Sequence, residues 1–149
     1  MSDSVITTLR CSVNLGGIGR LLAVTPNDWV NTLSVHRLIR VFGKANCYQL
    51  PPAGDDKGRD RYRYLHGRWL FGESVSYGDL ARMHAEGYRV KATGLTEQFD
   101  YDAFRGRYGP EALPLFVITK DRKLGVVTSG VELSPQDDEV LVSLVPPAE

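Results

Sequence analysis

Between Arg20 and Leu50 the chain reads RLLAVTPNDWVNTLSVHRLIRVFGKANCYQL: an apolar run, a stretch of helical period, then a second short strand-like run. Leu21 to Val24 form the first strand. Thr25 is placed to cap the helix, Pro26 sits where a helix start tolerates proline, and Asp28 completes a capping box. Gly43 supplies the stop and Asn46 to Leu50 the next strand. So short a strand, helix and strand predict a right-handed βαβ crossover on a parallel sheet.

The helix carries two apolar stripes. At about 100° per residue, Val35, Leu38, Ile39 and Phe42 share one side, while Val30, Leu33 and Val41 lie nearly opposite, with Trp29 at their edge. One stripe covers the sheet. The other needs a second cover, and in a chain this small a second subunit supplies it most simply. Val30, Leu33 and Val41 are therefore the expected dimer contacts.

After Pro51-Pro52-Ala53-Gly54-Asp55-Asp56-Lys57-Gly58, a turn-rich and charged stretch that reads as a linker, the pattern resumes. Ser76 and Asp79 form a second capping box, Val75 and Leu80 a hydrophobic staple, and the helix ends at Gly87. A strand spans Tyr88 to Leu95. Asp100 caps a third helix, stapled by Phe99 and Phe104 and stopped by Gly109-Pro110. Strands follow at Leu113 to Thr119, Lys123 to Thr128 and Glu139 to Val145, and Pro114 places its strand at a start or an edge. The expected fold class is α/β: a truncated half-Rossmann βαβ unit over 1–50, a linker over 51–65, and a small mixed α+β domain over 66–149.

Composition narrows the function classes. The 149 residues hold 42% hydrophobic positions, enough for a core, and 18 basic residues balance 18 acidic ones. Such a balance gives no global field toward nucleic acid or anionic lipid. The apolar runs fall short of the ~20 residues a membrane helix needs, and MSDSVITTLR lacks a signal-peptide core. The expected location is cytoplasmic. Cys11 and Cys47 stand in no metal-type spacing with His36, His66 or His84, so both read as reduced structural thiols.

No catalytic constellation emerges from the residues. Cys47 falls in an apolar strand without a histidine spaced as its base, His84 suits a helix C-terminus, and Asp55/Asp56 and Asp137/Asp138 sit in polar turns. Leu15-Gly16-Gly17-Ile18-Gly19 resembles a phosphate loop in composition, yet it precedes a strand where a phosphate loop follows one. Arg59, Arg61 and Arg63 alternate with Tyr62 and Tyr64, and Arg68 stands next to Trp69, the composition of a single-stranded nucleic-acid surface. With zero net charge, a strand with one wet face is the better reading, and nucleic acid is not an expected partner.

Two blocks carry a family resemblance. LGGIGRLLAVTPNDWVN (Leu15 to Asn31) with FGKANCYQL (Phe42 to Leu50), and VSYGDLARMHAEGYRVKATGLTEQFDYDAF (Val75 to Phe104) with LSPQDDEVLVSLVPP (Leu133 to Pro147), resemble the cytosolic C-terminal region of bacterial NhaP-type cation:proton antiporters. That region is related to the Trk and potassium-channel regulatory (RCK) domains. The resemblance implies the back half of a regulatory Rossmann domain followed by the companion C-terminal module, TrkA-C-like. It also implies a non-catalytic regulatory and dimerisation role at the cytosolic face of the inner membrane. The expected partners are a second copy and the membrane transport domain of a Na+ or K+:proton antiporter, on the same or a separate chain. Arg59, Arg61 and Arg63 then dock a partner or a small anion. The alternative is a free-standing ligand-sensing or protein-binding module of the same type.

The chain departs from that family in two places. The glycine-rich turn and acidic residue that hold a dinucleotide in the full regulatory domain have no counterpart here, so no cofactor is expected. Were a nucleotide to bind, Thr25, Asn27 and Asn31 at the first helix start are the residues placed to touch it. The related modules favour Pro-Gly-Asp before the last strand, where this chain has Pro135-Gln136-Asp137-Asp138, a turn of altered type.

Overall fold

A computed structural model describes residues 18–53, 66–72 and 75–148. Cys11, Asp55, Asp56, Arg59, Arg61 and Arg63 lie outside the described residues, as does most of the Leu15 to Gly19 stretch. The chain opens with strand β1 (Leu21–Ala23), helix α1 (Asp28–Phe42), a 3-10 turn (Lys44–Asn46) and strand β2 (Cys47–Gln49). β1 and β2 pair in parallel, Leu21 opposite Cys47, so the expected βαβ unit is present. Gly43 ends α1 at φ 81°, a value glycine adopts without a Cβ penalty, and its N–H reaches the Ile39 carbonyl.

The cap of α1 differs from the expectation. Asn27, not Thr25, is the N-cap: its side chain accepts from the N–H groups of Trp29 and Val30. Thr25 stands two residues outside, and Asp28 accepts from the Ala53 amide at 3.3 Å instead of closing a capping box. The reason is competition, because the Thr25 hydroxyl is engaged at 2.7 Å by Asn31, whose side chain is fully buried.

Strand β3 (Arg68–Trp69) joins the first sheet in parallel, with Tyr48 opposite Arg68. Two local features allow it. Gly67 lies so close to β2 that a Cβ there would sit 2.6 Å from the Cys47 carbonyl oxygen, and Gln49, buried in β2, accepts from the Gly67 N–H at 3.0 Å. The other end of the Gln49 amide donates to Thr32 of α1. One amide thus ties helix, central strand and outer strand together.

The remainder runs α2 (Tyr77–Ala85), β4 (Arg89–Gly94), α3 (Tyr101–Tyr108), β5 (Leu113–Ile118), β6 (Leu124–Val126) and β7 (Val140–Val145). Ser76 caps α2 through a complete capping box with Asp79, Asp100 caps α3 through the Ala103 amide, and Gly109 ends α3 at φ 76°. The four strands form an antiparallel sheet in the order β4-β7-β5-β6. β5 begins at Leu113 and lies inside this sheet, and a register shift between Pro114 and Phe116 accommodates the proline that cannot donate. Asp138 supplies the left-handed residue (φ 65°) in the turn before β7.

The two sheets share backbone hydrogen bonds. Leu70 donates to Gln49 and bridges Thr128, Phe71 donates to Val127, and Val127 donates to Leu115 of β5. Phe71 turns this corner at φ 64°, which costs an L-residue about 1 kcal/mol; its ring meets Phe116 edge-on at 5.7 Å.

Side-chain alternation then sorts the core into layers. Ala23, Cys47 and Leu21 face α1 with Val35, Ile39 and Phe42. Leu22 and Tyr48, on the opposite face, join Leu50, Leu70, Phe71, Leu115, Leu144, Phe116 and Val126, with Leu80 and Met83 of α2 against them. On the far side of the antiparallel sheet, Val117, Leu141 and Val145 pack with Leu95, Ala112 and Phe104 of α3. Among the described residues the fold is therefore mixed α/β, with a parallel and an antiparallel sheet and three helices. No described helix is long and apolar enough to cross a membrane.

Candidate functional site

The start of α1 brings Thr25, Asn27 and Asn31 together, but their polar atoms serve one another. Asn31 Oδ1 accepts from the Thr25 N–H (2.9 Å) and hydroxyl (2.7 Å), and Asn31 Nδ2 donates to the Thr25 carbonyl (2.9 Å). The Asn27 N–H donates to the Thr25 hydroxyl, and the Asn27 side chain is committed to the helix amides. This cluster holds the turn between β1 and α1 in place. A ligand there would have to displace internal hydrogen bonds, each of which is costly to leave unmade.

The outer face of α1 is different in kind. Trp29, Val30 and Val41 are 59%, 42% and 41% exposed, with Leu33 half-buried among them. The residues on the opposite side, Asn31, Thr32 and Val35, are buried, so the two-stripe pattern maps onto one covered and one open face. An apolar row at this spacing on a helix of 15 residues is what a second helix can pack against.

Cys47 is buried in the layer between α1 and the parallel sheet, and burial pushes its thiol above the ordinary value, which disfavours the nucleophilic thiolate. His84 sits in the last turn of α2, and His66 stacks on Trp69 at 4.1 Å. Among the described residues no three His, Cys, Asp or Glu side chains converge as metal ligands. A small groove of about 210 Å³ between β5, β6 and the 131–135 loop is mostly apolar, lined by Val117, Val126 and Leu133 among others.

Sequence reading overlooked one surface. β4 is an edge strand, and all its residues except Thr93 are exposed. Its odd positions lie toward α3: Lys91 Nζ donates to the Tyr108 hydroxyl at 2.6 Å and stands 5.1 Å from the ring centre, with Arg107 at 5.7 Å from the same ring. A groove of about 600 Å³ runs beside it, lined by Arg89, Lys91, Tyr108, Val145, Pro146 and Pro147 among others. The signal was present as the alternation Arg89-Val90-Lys91-Ala92, which reads as a strand with one cationic side. Compared with protein-family models, with curated proteins and with solved structures, the chain matches none.

Proposed function

We propose that the chain acts by binding and not by catalysis, as the regulatory and dimerisation module of a monovalent cation:proton antiporter. In this reading β1, α1 and β2 are the second half of a Rossmann-type regulatory domain, and the residues from Val75 onward are its RCK C-terminal-like companion. The resemblance of the Leu15 to Asn31 and Val75 to Phe104 blocks supports the transporter assignment. The observation that carries the assembly role is the open apolar face of α1, where Trp29, Val30 and Val41 stand exposed on a helix whose other side is core. Two copies related by a two-fold axis bury that face against itself, an isologous contact that needs no second partner chain. Differential contacts of such a dimer with the transport domain in its two conformations would bias transport.

Light scattering at micromolar concentration should give twice the 16.6 kDa chain mass. Leu33→Asp should return the monomer, because an unpaired carboxylate in the interface costs about 3 kcal/mol or more. A clean monomer mass for the unmodified chain overturns the assembly role. In everted membrane vesicles from cells expressing the intact gene, Leu33→Asp should leave cation-driven proton flux in place and alter its regulation. Flux that is absent, or indifferent to the substitution, overturns the transporter role.

A further inference from the structure

We propose that β4 is a docking edge for an extended segment of another protein, one that alternates acidic with apolar side chains. The inference stands apart from the antiporter reading. It begins with the backbone. The Leu95 N–H donates to the Glu139 carbonyl at 2.9 Å, so in the alternating antiparallel ladder residues 93, 91 and 89 also turn toward β7. Val90, Ala92 and Gly94 therefore point their amides and carbonyls outward. Among the described residues no strand lies on that side.

The side chains state what the added strand must carry. Toward α3 the edge presents Arg89 and Lys91, with Arg107 close by across the Tyr108 ring. The ion pairs among the described residues join Arg82 to Asp79 and Glu86, and Lys120 to Asp138, so none of these three cations is neutralised by one. On the other side the edge presents Val90, 65% exposed, and Ala92. A strand laid along β4 with carboxylates at alternate positions meets the cations, and its intervening apolar side chains cover Val90 and Ala92. A second copy of β4 fits poorly, because the segment Arg89–Gly94 carries two cations and no carboxylate to meet them.

The test is fluorescence anisotropy with the full chain and a short labelled peptide alternating Glu with Val. Micromolar binding is expected, and replacing each Glu by Lys should weaken it about tenfold or more. The double variant Arg89→Glu/Lys91→Glu should invert that preference. Ala92→Pro should abolish binding with its thermal unfolding unchanged, because the amide it removes points away from β7. Failure of the Glu/Val peptide to bind, equal binding of the Lys peptide, or full binding to Ala92→Pro overturns the proposal. A dimer that Ala92→Pro converts to monomer would assign the edge to a second copy, and overturns it too.

Discussion

Asn31 closes on Thr25 at three points, accepting from its amide and hydroxyl and donating to its carbonyl, all within 2.7–2.9 Å. Asn31 is fully buried, so Asn31→Ala leaves the Thr25 groups without the partner that replaced water. A loss of about 2 kcal/mol is expected, or roughly 4–8 °C in Tm for a chain of this size. Thermal denaturation followed by circular dichroism measures it, and a shift near zero would mean that water replaces the amide without cost.

A second prediction concerns pH. The Ser76 N–H, followed by the Ser76 hydroxyl and Arg82, holds the Asp79 carboxyl below its ordinary value of 3.8. A depressed carboxylate stabilises the fold above its unfolded pKa, and that contribution disappears as pH falls through the folded value. Asp79→Asn removes the charge and keeps the shape. Its side chain is 40% exposed, so solvent screens the effect to about 0.5 kcal/mol at pH 7. Urea titrations should find that deficit constant down to about pH 5 and closing below 3.8.

Ser143 offers the opposite sign. Its hydroxyl is fully buried in β7 and has no hydrogen-bond partner among the described residues, as is true of Thr93 on the neighbouring strand. Ser143→Ala removes an unsatisfied polar group and should raise stability by about 1 kcal/mol, read as a higher urea midpoint at unchanged slope. Destabilisation would mean that the hydroxyl has a water partner.

Unfolding should be a single event. The core around Leu70, Phe71 and Tyr48 joins both sheets, and the Phe71 and Leu70 amides carry hydrogen bonds into each. Leu70→Ala, at a fully buried position, should lower one common transition by about 2–5 kcal/mol. Calorimetry resolving two transitions, only one of them shifted, would show that 1–50 and 66–149 melt independently.

The pattern of legible and illegible features follows interaction range. Ser76, Asp100, Gly43 and Gly109 act within one turn of themselves, and the helix ends they predict are where they should be. Thr25 and Asn27 are both good caps two residues apart, and the choice between them fell to Asn31, a buried asparagine whose role no local rule announces. Trp69-Leu70-Phe71 reads as a short strand from the sequence, but where it pairs was hidden for the same reason. Its partners are Tyr48 and Gln49 on one side and Val127 and Thr128 on the other, and pairings so distant leave little mark on the segment itself. The two faces of α1 were readable from period alone, whereas the value of β4 depends on its being an edge, a property of topology.

The Phe71 corner also bears on how the chain is made. Arg68 reaches Thr128 across 60 positions at 3.2 Å, and the Phe71 N–H and the Trp69 carbonyl are bonded to the same distant segment, at Val127 and Ser129. During synthesis the parallel sheet therefore remains without its last neighbour until residues 127–129 have left the ribosome. Its β3 edge and the apolar underside formed by Leu22 and Tyr48 are open meanwhile. Contacts of this separation slow folding, and exposed strand edges recruit one another. Expression at low temperature, which slows synthesis and weakens apolar association, should favour soluble product over inclusion bodies.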